Sequence, residues 1–210
     1  MAGPPRTTYR HGALREALVD AGVELARTGG PQAVVLREAT RRVGVSANAA
    51  YRHFSDHRAL LRAVGVVAMA QLAACMEQEQ SRTPPRGAAA AARARLRGVG
   101  AGYLRFAREQ PGLFLTAFAV NAEVADDPAA RGDSGLSPLE LLTTALDGLV
   151  DAGLLPPQRR PDAEMVAWSA VHGLSMLLID GPLASLSDEH ADALGSTLLD
   201  HVEAGLLRAP

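Results

Sequence analysis

Asn48 and Arg52 are side chains whose chemistry and spacing suit the reading of a DNA base edge. They stand four residues apart, so on a helix they share one face, one turn apart. Each can form paired hydrogen bonds with a purine edge in the major groove. The small Ala49 keeps this face flat, and Tyr51 lies on its flank. The pattern predicts a face that enters a major groove; an ordinary helical hairpin with a solvated face is the alternative.

Two short helices must position that face. Residues 37–43 form the first, and Gly44 follows, where a left-handed backbone is easily adopted. Ser46 is the predicted N-cap of the second helix. On that helix Ala50 and Phe54 are one turn apart and point inward. The stretch is therefore a helix-turn-helix candidate.

The charge is divided unevenly along the chain. Residues 1–62 hold ten Arg against five acidic residues, a formal charge of +5, whereas residues 63–210 carry −7. Every basic residue is Arg. Counterion release from phosphates supplies most non-specific DNA affinity, so a basic module joined to a larger acidic one suits a DNA binder. We predict a DNA-binding domain at 1–62 and a ligand-binding and dimerisation domain at 63–210.

Composition excludes several other classes. Hydrophobic residues make up 48% of the 210 residues, enough for a core, and the one cysteine, Cys75, rules out an internal disulfide framework. There is no paired Cys and His pattern for a metal, no signal-peptide core at the start, and the apolar run near 170–179 is too short to span a membrane. Scattered Asp and Glu form no catalytic constellation. We expect a soluble cytoplasmic protein with no cofactor, no metal and no catalytic residues.

Hydrophobic periodicity and capping residues predict an all-α fold of about nine helices. A three-helix head that contains the helix-turn-helix is joined by a long fourth helix, reaching to about Gln80, to a C-terminal helical bundle. A helix near 113–122 precedes a polar segment, 125–135, that we expect to be a mobile loop. Ser137 then begins a helix with Pro at its first position and Glu140 three residues on, a capping box.

The segments L-R-E-A-T-R-R-V-G-V-S, A-N-A-A-Y-R-H-F and S-D-H-R-A-L-L, preceded by an Arg-bearing arm, resemble the DNA-binding head of the tetracycline-repressor (TetR) family of bacterial regulators. The resemblance covers about residues 9–65. Trp168 and His172-Gly173, with Tyr9 to Gly12 near the start, look like the subgroup whose regulatory domain carries a W…HG signature.

The resemblance implies a homodimer that binds palindromic double-stranded operator DNA and is released by a small-molecule effector. It implies that Arg37 reaches a base or phosphate and that Tyr51 and His53 contact phosphates. His57 stands where the family usually has a lysine at the start of the fourth helix, so this contact is weaker. The full set of expected DNA contacts is Arg37, Ser46, Ala47, Asn48, Ala49, Tyr51, Arg52, His53 and His57.

Aromatic residues of the second domain mark the expected ligand pocket, because helix bundles bind ligands between helices. Each is also explained by ordinary core packing, and for Trp168 and His172, one turn apart, a core aromatic and a hydrogen-bonded core histidine are the plainer interpretation. The candidates are Met69, Tyr103, Phe106, Phe114, Phe118, Asn121, Trp168, His172 and Met176.

We expect the homodimer to form through the last two predicted helices, about 163–179 and 188–207. Their apolar surplus, with a row of Leu194, Leu198, Val202 and Leu206, suits a four-helix bundle between subunits. The sequence therefore favours a ligand-responsive DNA-binding repressor. An α-helical enzyme, or a scaffold protein without DNA binding, is the alternative.

Overall fold

A computed structural model describes residues 11–82 and 86–207, and of residue 11 it describes the backbone alone. Over these ranges the chain is all-α, as predicted, with ten α-helices and two short 3-10 helices and no strand. The arm at residues 1–10 lies outside the described residues. The helices are α1 (His11–Ala33), α2 (Leu36–Val43), α3 (Ala47–Tyr51), α4 (His57–Ser81), α5 (Ala88–Glu109), α6 (Pro111–Ala119), α7 (Asn121–Val124), α8 (Pro138–Asp151), α9 (Ala163–Asp180) and α10 (Asp188–Leu207); the 3-10 helices are η1 (Pro128–Ala130) and η2 (Pro157–Arg159).

Helices α1, α2 and α3 pack together as the N-terminal head. The regular part of α1 ends near Gly30, which has a non-helical backbone with φ of 65°. The head core contains Leu18, Val34, Ala50 and Phe54, all at most 2% exposed. These buried apolar residues hold α3 against α1, with which it makes direct contact.

Helix α4 connects the head to the rest of the molecule. Asp56 caps it by accepting a hydrogen bond from Ala59 N at 2.8 Å, and it packs against α1, α5 and α6. By length and composition it could span a membrane, but 56% of its apolar stretch is buried inside the fold, as in the core helix of a globular protein. The proposed boundary between 62 and 63 falls within this continuous helix.

Two segments differ from the sequence-based expectation. The helix predicted near 113–122 is two helices, because Val120 leaves helical geometry (φ −127°, ψ 12°) between α6 and α7. The segment 125–135, expected to be a mobile loop, packs against α4. Glu77 of α4 accepts hydrogen bonds from the backbone amides of Asp133 (2.9 Å) and Ser134 (3.0 Å). A long-range carboxylate contact of this kind has no local sequence signal.

Helices α8, α9 and α10 complete the C-terminal bundle around α5. The capping box of α8 is present as predicted, with Ser137 and Glu140 each bonded to the other's backbone. The predicted partner-facing row on α10 needs correction. Leu206 is only 6% exposed and Val202 lines an internal cavity, whereas Leu194 is 37% exposed. The row therefore begins at the protein surface, at Leu194, and ends in the core, at Leu206.

Candidate DNA-binding surface and ligand cavity

The turn between α2 and α3 is built from local hydrogen bonds. Gly44 has φ of 75°, a left-handed conformation that a side chain would strain, and its amide bonds to Thr40 O at 3.0 Å. The Val45 amide bonds to the same carbonyl at 3.1 Å. Ser46 Oγ then accepts from Ala49 N at 3.3 Å and starts α3. These bonds set the direction in which α3 leaves the turn.

The two faces of α3 divide as the sequence predicts. Ala50 is fully buried and Phe54, just beyond the helix, is 2% exposed, while Asn48 and Arg52 are exposed. The Arg15 guanidinium lies 5.3 Å from the Phe54 ring centre and covers the inner face. The polar face is therefore held outward by a buried apolar one.

Two arginines of the head have no partner within the part of the chain that the structure describes. Arg41 forms a two-pronged bond with Glu38 (3.0 and 2.6 Å), which lowers the pKa of Glu38, and Arg42 lies 3.5 Å from the same carboxylate. Arg37 and Arg52 are exposed and form no hydrogen bond or ion pair with any residue that the structure describes. Their guanidinium groups are available for an anionic partner.

The other predicted DNA contacts vary in exposure. Tyr51 is 57% exposed, Ala49 and His53 are half-buried, and His53 has an interaction of its own within the protein. His57 is exposed as the first residue of α4, beside the capping Asp56. Ser46 and Ala47 are exposed at the start of α3. Apart from Arg37 on α2, all of these residues lie between 46 and 57.

A cavity of about 310 Å³ lies within the C-terminal bundle. Helices α4, α5, α6, α7, α8, α9 and α10 all contribute to it, as does the segment that follows α7. Five of the residues predicted for a ligand pocket line this cavity: Met69, Tyr103, Phe118, Asn121 and Trp168.

The other four predicted pocket residues do not line this cavity. Phe114 is fully buried behind it, with its ring centre 5.4 Å from that of Tyr103. Phe106 faces a separate shallow depression beside Cys75, and Met176 is 36% exposed on the outer surface of α9. His172 lies behind the lining residues Tyr103, Phe118 and Trp168, so its predicted role becomes indirect. Helical spacing placed these residues on the right helices, but the rotation of each helix is set by long-range packing.

A chain of hydrogen bonds runs along one wall of the cavity. Trp168 Nε1 lies 3.1 Å from Tyr103 Oη, which lies 2.7 Å from His172 Nδ1. Trp168 can only donate, so Tyr103 accepts from it; in the Nε2–H tautomer of His172, Nδ1 accepts the proton of the Tyr103 hydroxyl. Burial raises the pKa of Tyr103 and lowers that of His172, which keeps both groups neutral. The sequence left core packing and cavity lining as alternatives for Trp168 and His172; in the structure Trp168 lines the cavity and His172 packs behind it.

Sequence reasoning missed much of the cavity. Arg131 Nη1 bonds to Glu140 Oε2 (2.5 Å) at its edge, and Glu140 also accepts from Ser137 N at 2.7 Å, a bond that lowers the pKa of Glu140. The capping box gave a local signal for Glu140, but none for its closeness to a cavity. The further apolar lining includes Met76, Leu96, Val99, Leu139, Leu142, Ala167, Val171, Leu199 and Val202.

The comparison with known proteins gives two family matches. The model of bacterial regulatory proteins of the tetR family matches residues 18–64, and that of the tetracyclin repressor-like C-terminal domain matches residues 96–202. The second match alone covers about half of the chain. No curated protein matches the chain.

Solved structures share the fold at low sequence identity. A protein with unknown function from Rhodococcus sp. RHA1 is 24% identical, with a TM-score of 0.75 over 97% of this chain and 100% of its own. A TetR family transcription regulator from Marinobacter aquaeolei VT8 is 21% identical, with a TM-score of 0.60 over 89% and 94%. At such identities these likenesses support the fold, and the matched family models supply the family.

Proposed function

The chain belongs to the tetracycline-repressor family and is thus a DNA-binding transcriptional regulator; we propose that it is a dimeric cytoplasmic repressor whose palindromic operator is released when a small molecule fills the cavity. In this proposal residues 1–62 are the DNA-binding domain and residues 63–210 bind the ligand and the second subunit. One observation carries the DNA-binding role: the polar face of α3 is exposed opposite the buried Ala50 and Phe54, and near it the guanidinium groups of Arg37 on α2 and Arg52 at the end of α3 have no partner among the residues that the structure describes.

On this face Asn48 and Arg52 read bases, and Ala47 and Ala49 let the backbone approach the groove. Tyr51, His53 and His57 contact phosphates, and Arg37 contacts a base or a phosphate. An imidazole at position 57 binds phosphate more weakly than the lysine that the family usually has there. Ser46 positions the helix, since its hydroxyl already caps α3.

The proposed dimer surface is the outer side of α9 together with α10. Met165, Val166, Met176 and Leu177 of α9 are 36 to 61% exposed. Gly173 lies among them, and a Cβ there would meet nothing within 4 Å. Small residues between exposed apolar ones allow two helices to approach closely. A two-fold dimer would place its two α3 helices in successive major grooves, about 34 Å apart along the DNA.

The cavity is connected to the head through two helices. Met69 and Met76 line it from α4 and Phe118 lines it from α6, and both of these helices pack against α1 of the head. An occupant that displaced these side chains would move helices on which the head rests. A ligand releases DNA only if it binds the conformation with low DNA affinity more tightly than the other conformation. Because the cavity walls belong to helices that pack on the head, its volume would differ between the two conformations.

The proposed DNA binding is tested by selecting bound duplexes from a random pool and by measuring DNA affinity as a function of salt concentration. We expect an inverted repeat, and a log–log slope of about 0.9 per phosphate contact. Light scattering should return twice the chain mass of 22.0 kDa. Bound sequences without symmetry, or a monomer at micromolar concentration, would overturn the dimeric repressor. An enzyme or scaffold would show no steep salt dependence.

A further inference from the structure

The polar groups around the cavity constrain the chemistry of its ligand. Tyr103 is the hydroxyl on the inner wall, and it is 4% exposed. With Nδ1 of His172 as the acceptor, Tyr103 uses its proton on His172 and one of its two lone pairs on Trp168. A ligand meets the faces of these rings and gains no free donor there.

Most of the charged groups at the edge are also paired. We call the partly exposed polar residues of the cavity its rim: Arg97, Asn121, Asp126, Arg131, Ser137, Glu140 and Glu203. Arg97 pairs with Asp200 and lies 2.8 Å from Ser196 Oγ, and Arg131 bonds to Glu140. Each rim arginine is thus neutralised by a carboxylate.

Glu203 is paired in the same way, with Arg93 at 2.6 Å. Asn121 and Asp126 differ from the rest of the rim, because neither side chain has a hydrogen-bond partner within the ranges that the structure describes. Asp126 is exposed to water, whereas Asn121 is half-buried. The Asn121 amide is therefore the rim group best placed to gain from a hydrogen bond to a ligand.

A charged ligand would lose hydration free energy on entering the cavity. An ion that leaves water needs a partner to offset its lost hydration, and each charged group of the described lining is already paired except Asp126, which is exposed to water at the rim. Aromatic rings of Tyr103, Phe118 and Trp168, with the thioethers of Met69 and Met76, instead favour a flat apolar body.

We propose that the cavity selects an uncharged, largely aromatic or cyclic ligand whose single hydrogen-bonding group meets the amide of Asn121. This inference rests on the proposed function, in which the cavity is the effector site, and names the ligand class. The volume of about 310 Å³ lies at the small end of known ligand pockets, about 300–1,000 Å³, so the ligand is small.

Two fluorescent probes that differ by one charge test the proposal on the full-length protein. N-phenylnaphthylamine is neutral and carries one N–H, and anilinonaphthalene sulfonate has the same ring skeleton with an added anion. We expect the neutral probe to bind at least tenfold more tightly. Asn121→Leu should weaken it several-fold, because the amide partner is lost.

A cavity-filling substitution shows whether the probes occupy this site. Ala167 lines the cavity and is 5% exposed, so Ala167→Phe should abolish binding of the neutral probe. The matched control is Ala89→Phe on an exposed position of α5, which should leave binding unchanged. If Ala167→Phe fails to fold, Val202→Phe, at a half-buried lining position, replaces it.

The outcomes separate this inference from the repressor proposal. The ligand class would be overturned if the sulfonate probe bound as tightly as the neutral probe, or more tightly, and lost this binding in Ala167→Phe. It would also be overturned if neither probe bound in the cavity. If the neutral probe binds in the cavity with the expected preference but leaves operator affinity unchanged, the ligand class stands and the effector role of the cavity fails.

Discussion

Gly112, the second residue of α6, lies directly against the carbonyl oxygen of Ala26 in α1: a Cβ on residue 112 would be 2.0 Å from that oxygen. The neighbouring atom belongs to the backbone, so it cannot rotate away as a side chain could. The head and the C-terminal bundle therefore meet here backbone against backbone, and only glycine fits.

Gly112→Ala should destabilise the protein by about 1 to 3 kcal/mol, the usual cost of overpacking, because α1 and α6 must separate. Urea unfolding measures the change. Gly148→Ala is the control, since a Cβ at Gly148, in the interior of α8, meets nothing within 4 Å. That change should stabilise by about 0.5 to 1 kcal/mol through helix propensity. Equal behaviour of the two variants would show that the junction is loose.

Glu123 of α7 should weaken the attraction of the head for DNA. It pairs with Arg58 in the first turn of α4, and Arg62 Nε lies 3.6 Å from its other oxygen. Glu123→Gln removes a negative charge beside two guanidinium groups next to the proposed phosphate contact His57. We expect tighter binding to random DNA and a steeper salt dependence.

The stability of Glu123→Gln should change little, because exposed ion pairs contribute about 0 to 1 kcal/mol. Glu203→Gln on α10 is the control, since it removes the same charge from a similar pair, with Arg93 of α5. Fluorescence anisotropy with a random duplex compares the three proteins. The idea fails if the two substitutions raise DNA affinity equally, because the effect would then come from net charge alone.

Base reading and phosphate contact can be separated on α3. Asn48 and Arg52 are exposed and opposite the buried Ala50. Replacing either by Ala should cost specific binding about 1 to 3 kcal/mol and relax the preference at one or two base pairs per half-site. Tyr51→Phe should weaken binding to all sequences alike, since the hydroxyl meets the backbone. Binding to an operator and its single-base variants decides this; a changed base preference in Tyr51→Phe alone would mean that α3 docks differently.

Helix α2 begins without a side-chain cap, because Val35 occupies the N-cap and makes no cap hydrogen bond. Glu38 stands three residues later, so Val35→Ser would create the sequence of a capping box. Val35 is 43% exposed, so little packing is lost. We expect a gain of about 1 kcal/mol in the free energy of unfolding, measured in urea. Val35→Ala is the control, and a gain of the same size in both variants would rule out the cap as its source.

Local signals in the sequence predicted the helices well. Gly44, Ser46 and Ser137 act through bonds within a few residues, and each stands in the structure where its chemistry requires. The division of α3 into Ala50 inside and Asn48 outside follows from helical periodicity alone. For these features the necessary interactions are all contained in a short stretch of chain.

The cavity could not be predicted in the same way. Tyr103 and His172 are 69 residues apart, and Glu77 meets Ser134 across 57 residues. Met176 follows His172 by one turn, yet it is exposed because α9 has reached the surface of the bundle there. Such outcomes depend on how helices are rotated and placed against each other, which spacing within one helix does not determine.

His172 should make stability depend on pH. The rings of Phe114, Phe118 and Trp168 surround it, with centres 4.7 to 6.2 Å away, and burial lowers its pKa below the ordinary value of 6.5. As pH falls below that value, the unfolded chain takes up a proton that the folded protein resists. Since stability rises with pH wherever the unfolded state binds more protons, the free energy of unfolding must fall as the solution becomes acidic.

His172→Gln should remove this contribution, because glutamine can still accept the Tyr103 hydrogen bond through its amide oxygen but does not titrate. Urea unfolding at pH 7.5 and pH 5.5 gives, for the wild type and for the variant, the change in the free energy of unfolding between the two pH values. The wild type should lose more stability between these conditions than the variant. His190→Gln, on the exposed surface of α10, controls for the substitution itself and should lose as much as the wild type. An equal loss in wild type and His172→Gln would mean that the folded protein accepts the proton at Nδ1, so that Tyr103 Oη accepts from both neighbours and turns its own proton toward the cavity.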